Sequence, residues 1–64
     1  MLYYKWIGSF VRDGESVIKT MKMCVPHKSY AYGAVNMMVM EMIEEGWTSI
    51  SGDLYQTDSN YNII

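Results

Sequence analysis

The sequence predicts an α+β domain: a three-stranded antiparallel sheet with one helix packed on one face, in ββαβ order. Three observations carry this. Two runs of alternating, β-rich residues meet at an Asp-Gly pair. A single later stretch has a helical apolar stripe that stops at a glycine, and a third alternating run follows it. At 64 residues the chain makes one domain, short enough to bury only roughly 60% of its unfolded surface. Half of the residues are hydrophobic and 19% are charged, a balance that excludes a disordered tail.

The hairpin is expected over residues 2–25. Leu2 to Val11 alternates and is rich in aromatic and β-branched residues, and Ser16 to Val25 is its return, stopped by Pro26, which cannot donate to a ladder. Between them, Asp13-Gly14 signals a two-residue type I′ turn, because both central residues need positive φ. That turn sets the register by placing Arg12 opposite Glu15. Phe10 then faces Val17, Trp6 faces Met21, Tyr4 faces Met23 and Leu2 faces Val25, which makes one face of the hairpin nearly all apolar. A slip by one residue would scramble that segregation.

The helix is expected over about 29–45. Ser29 is the expected N-cap, since a hydroxyl can accept from the free amides of the first turn. Gly33 weakens that turn by ~1 kcal/mol relative to alanine. Gly46 ends the helix in the left-handed conformation that C-termini favour. At one hundred degrees per residue, Ala31, Val35, Met38 and Met42, flanked by Ala34 and Val39, form a stripe that should meet Tyr4, Trp6, Phe10 and Met21. The third strand is expected over about 47–56, with Thr48, Ile50, Gly52 and Leu54 on one face and a bulge or bend at Gly52. A right-handed crossover seats it beside the first strand, giving the order 2-1-3. The tail, 57–64, begins as a turn and ends on the apolar Tyr61-Asn62-Ile63-Ile64.

No catalytic, cofactor or metal site is expected. Cys24 and His27 have a spacing seen in zinc sites, but no other Cys or His is available to complete four ligands. A Cys-His nucleophile pair lacks a third orienting group nearby. The five glycines form no phosphate loop. Glu41, Glu44 and Glu45 are exposed at a helix end, where nothing shifts them toward acid-base work. The opening residues lack a basic leader and an apolar core, so no signal peptide is expected. No stretch reaches the ~18 apolar residues of a membrane span. One cysteine in so small a domain points to a reducing, cytoplasmic setting.

The remaining signals concern partners. With the core stripe assigned, Met37 and Met40 fall on the opposite side of the helix, with Tyr32 and Ile43 on a flank. Methionine there marks an adaptable binding surface. Either they form a surface for a partner or a second copy, or else the helical phase is off by one residue or the tail 61–64 folds over them. Glu41, Glu44 and Glu45 crowd a helix end whose macrodipole disfavours negative charge by ~0.3–1 kcal/mol each. They are either a solvated face or an acidic tip that orients docking on a basic partner. A homodimer is also expected, since a thin core and open sheet edges invite one. The alternative site is on the back of the sheet, where Lys5 and Lys22 lie directly opposite beside Tyr3. A basic, aromatic sheet face can hold an anion or RNA, but two lysines and a net charge of −2 disfavour nucleic acid.

In length, in its short ββαβ layout spanning Leu2 to about Leu54, and in its Met- and aromatic-rich composition, the chain resembles small phage-encoded inhibitor and antitoxin proteins of the Dmd type. The resemblance is one of plan and transfers no functional residue. It implies a non-enzymatic protein in the host cytoplasm that blocks a host defence or toxin enzyme by occupying its active surface. Six tyrosines and two tryptophans suit such a role, and equally suit a small core.

Overall fold

A computed structural model describes residues 1–64. Its elements run β1 (Leu2–Arg12), β2 (Glu15–Val25), α1 (Lys28–Glu44) and β3 (Thr48–Thr57). The three strands form one antiparallel sheet in the order β2-β1-β3, with α1 packed on one face. The expected architecture therefore stands.

The hairpin turns at Asp13 (φ 49°) and Gly14 (φ 79°), both in the left-handed region a type I′ turn requires. Its register runs unbroken from Leu2↔Val25 through Trp6↔Met21 and Phe10↔Val17 to Arg12↔Glu15, as the turn dictates. The apolar face of the hairpin supplies Tyr4, Trp6, Phe10 and Met23 to the core, and the helix supplies Ala31, Val35 and Met42. Leu2, Val17, Met21, Ala34, Met38 and Val39 pack around them, half-buried.

Three details differ from expectation. First, the N-cap is His27 rather than Ser29, and the helix begins at Lys28. His27 is extended (φ −151°, ψ 148°), and its Nδ1 accepts the Ser29 backbone N–H at 3.2 Å. The imidazole thus takes the place of the usual oxygen acceptor, and Ser29 moves into the first turn, its hydroxyl 3.0 Å from the same nitrogen.

Second, the irregularity in β3 lies at Ile50, not Gly52. Ser9 pairs with Ser51 and Phe10 with Ser49, so Ile50 is an extra residue in the ladder. It reverses the alternation, which puts Ser49 opposite Phe10 and moves Thr48 to the back of the sheet opposite Val11. Gly52 has a different purpose. It pairs with Gly8, and the Trp6 indole lies across both glycines, so a Cβ at either position would overlap the ring.

Third, the tail does not reach the helix. Asp58 Oδ1 accepts the N–H groups of Asn60 (2.9 Å) and Asn62 (3.0 Å), and Tyr61 takes φ 62°. The chain therefore turns back antiparallel along the end of β3, pairing Thr57 with Ile63. Tyr61 lands on the back of the sheet, edge-on to Tyr3 with ring centroids 5.8 Å apart.

The molecule is thin. It measures 38 × 19 × 13 Å, and its radius of gyration of 12.4 Å exceeds the about 10.7 Å of a compact chain of this length. Only nine residues are buried, with Phe10 the one large side chain fully enclosed.

Candidate functional site

The candidate site is the outer face of α1, and its position follows from how the helix is clamped. At its C-terminus, Trp47 N–H donates to Met42 O and Gly46 N–H to Ile43 O, both at 3.0 Å, while Gly46 takes φ 94°. This pair of bonds around a left-handed glycine is the Schellman arrangement. Arg12, at the tip of the hairpin, donates from Nη1 to the Glu45 carbonyl at 2.7 Å and stacks its guanidinium 4.3 Å over the Trp47 ring. The carbonyls of Glu41, Met42, Ile43 and Glu45 thus have partners, and the helix end is tied to the sheet. With that end clamped and Ala31 pressed flat on the core, the rotational phase of α1 is set.

That phase leaves a second stripe facing outward. Met37 is 68% exposed, Met40 61% and Tyr30 63%, with Tyr32 and Ile43 also exposed along one flank. The tail folds on the other side of the sheet, so nothing in the chain covers these side chains. Glu41, Glu44 and Glu45 are exposed beside them, and the last turn holds no base. The first turn holds no acid. The helix thus carries its charges against its own macrodipole, with Lys28 at the positive end and three carboxylates at the negative end.

The structure brings Met37, Met40 and Glu44 onto one strip and places Glu41 on its edge, while Glu45 is the C-cap residue, exposed at the helix end. Tyr30 belongs to the strip too. It lies seven residues before Met37, a spacing that returns a side chain to the same face of a helix.

The alternative site is less open than the sequence implies. Lys5 and Lys22 do stand opposite each other on the back of the sheet. Tyr61, however, lies over that end, with Lys22 Nζ 5.7 Å above its ring. The cation is offset by the aromatic face instead of by an anion. Tyr3, between Tyr61 and Cys24, has its phenol held above the ordinary range, chiefly by the neighbouring Cys24 thiol. Cys24 itself is free and exposed.

Further along the same face, an open groove of about 310 Å³ runs between Ile7, Ile18, Asp53 and Tyr55. It is at the small end of ligand sites, and its floor is the Ser9–Ser51 hydroxyl pair, 2.7 Å apart. No three His, Cys, Asp or Glu side chains converge to hold a metal ion, and His27 is engaged as the helix cap. No helix is long and apolar enough to cross a membrane.

No known protein family, curated protein or solved structure matches the chain.

Proposed function

We propose that this protein is a small, non-enzymatic binding module that acts by laying the outer face of α1 against another protein. One observation carries the reading. The same helix buries one methionine-bearing stripe to close the core and leaves a second, around Met37 and Met40, in water with no covering element. Flexible, polarizable methionines on an exposed strip adapt to a partner's groove, and a contiguous apolar patch of this kind marks an interaction surface. Glu41 and Glu44 at its margin orient docking toward a groove with basic residues at its rim. In keeping with the resemblance to phage-encoded inhibitors, the mode of action is occlusion: the partner, a host defence or toxin protein in the cytoplasm, loses access to its own working surface.

The test is capture from a lysate of the source cell with the tagged chain, followed by mass spectrometry. It compares the wild type with a Met37→Glu/Met40→Glu variant and a Lys5→Glu/Lys22→Glu variant. A captured protein lost only in the methionine variant supports the reading. Loss only in the lysine variant, accompanied by a low-salt shift of nucleic acid by the wild type, would transfer the function to the back of the sheet and make the protein an anion or nucleic-acid binder.

A further inference from the structure

We infer that the outer face of α1 pairs with the same face of a second copy of this chain, the two helices running antiparallel. This rests on the reading of that face as the contact surface and names what covers it in the free protein.

The strip has the spacing of a helix-pairing seam. Tyr30, Gly33, Met37, Met40 and Glu44 are separated alternately by three and four residues, the a/d pattern by which one helix seats its side chains in another. Gly33 is the second argument. Its φ is not positive, and a Cβ added to it would meet nothing within 4 Å, so neither the backbone nor the packing of the single chain requires glycine there. A glycine in mid-helix is unfavourable on its own. It becomes useful where another side chain must approach the backbone closely.

Self-pairing supplies that side chain. With the two-fold axis beside Met37, Gly33 of one copy faces Met40 of the other, a small residue receiving a long flexible one. The same register sets the Tyr30 hydroxyl of one copy beside the Glu44 carboxylate of the other.

The charges fix the direction. Each helix has Lys28 and no acid in its first turn, and Glu41, Glu44 and Glu45 with no base toward its end. A parallel pair would bring six carboxylates together. An antiparallel pair places each acidic end beside the other helix's positive N-terminus, so charges that oppose their own macrodipole favour that of the neighbour. The helix has 17 residues and is therefore about 26 Å long. One such seam buries less than a standard stable interface, so the dimer exchanges, and capture of another protein proceeds by displacement of the second copy.

Sedimentation from low to high micromolar concentration tests this, with circular dichroism verifying that each variant folds. The wild type is expected to move from monomer to dimer, and Met37→Glu/Met40→Glu to stay monomeric. Gly33→Leu is expected to weaken association about tenfold or more while raising the melting temperature of the dilute monomer. A residue with only a structural role would not move those two readings in opposite directions.

Orientation is read on a Cys24→Ser background by oxidising an equal mixture of Tyr30→Cys and Glu44→Cys chains. Mixed disulfides supporting the antiparallel pair should dominate, and like-with-like products would overturn it. A wild type that stays monomeric at high micromolar, or a dimer indifferent to the methionine and glycine variants, would also overturn the inference. If the wild type is monomeric yet its captured protein is lost in the methionine variant, self-pairing falls and the binding function stands. If capture survives that variant, the binding function falls as well.

Discussion

The two sides of α1 carry the same residue type and put it to opposite uses. Met42 is 8% exposed and belongs to the core, whereas Met40, two residues away, is 61% exposed. Composition alone does not distinguish them; phase does. The phase is set from outside the helix, by the Arg12 bond to the Glu45 carbonyl and by Ala31 against the sheet. A helix held this way can vary its outer side without disturbing the fold, which is what a binding surface needs.

Substitutions on the two sides of the helix should differ most. Met42→Ala is expected to cost about 2–5 kcal/mol through the cavity it leaves. In a domain of this size a core seldom supplies more than about 3–5 kcal/mol in total, so the variant should be largely unfolded by circular dichroism. Met40→Glu should fall within about 0.5 kcal/mol of wild type in urea denaturation of dilute protein. Equal effects at the two positions would mean that the outer stripe is core.

Next in size is Gly52→Ala, which forces Trp6 off the glycine pair. A loss of about 1–3 kcal/mol and an altered indole fluorescence spectrum are expected, with the outer helix face unchanged. Two glycines of the helix then make a paired test. Gly46→Ala should destabilise by about 1 kcal/mol, because φ 94° excludes a side chain without strain. Gly33→Ala should stabilise the dilute monomer by about 1 kcal/mol, because alanine is the better helix former. The same substitution thus changes sign between the clamp and the open face, and two losses would contradict the reading of Gly33.

The smallest effect lies in the tail. The backbone N–H of Asn62, foremost among its donors, holds the Asp58 carboxyl below the ordinary carboxylate range. A carboxyl whose folded pKa lies below its unfolded value contributes stability above the unfolded pKa and loses it as pH falls through the folded one. Acidification should therefore free Tyr61 from Tyr3, read as converging ring shifts in NMR, while Met37 and Met42 resonances stay put. Movement of the helix signals in the same step would show that the tail supports α1.

Much of this arrangement is legible in the residues alone. Asp13-Gly14 dictates the turn, the turn dictates the register, and the register sorts the apolar residues onto one face. The helical phase follows from Ala31, Val35, Met38 and Met42, and with it the exposure of Met37 and Met40. What escapes reading has physical reasons. Ser29 is a better cap by type than His27, but His27 is itself extended and its Nδ1 reaches the Ser29 N–H, so the imidazole caps the helix ahead of it. Gly52 reads as a bulge because a glycine in a strand so often is one; its reason, the Trp6 ring, lies on another strand. The tail's course depends on one Asp58 side chain accepting two backbone bonds, a geometry that turn-forming composition does not specify.

The glycine pair beneath Trp6 has a bearing on how the chain reaches this structure. The hairpin joins neighbours in sequence, whereas β3 meets β1 only after the helix has intervened. Thr48–Thr57 is a poor guide to its own alignment, being rich in small and polar residues with little contrast between its two faces. Gly52 is the only residue in it without a Cβ. Laid one residue early or late, β3 would thrust Ser51 or Asp53 into the ring, and the strand would be rejected. The paired glycines thus serve as lock and key for the register of β3, selecting one alignment for a strand whose own side chains carry too little information to choose where to stop.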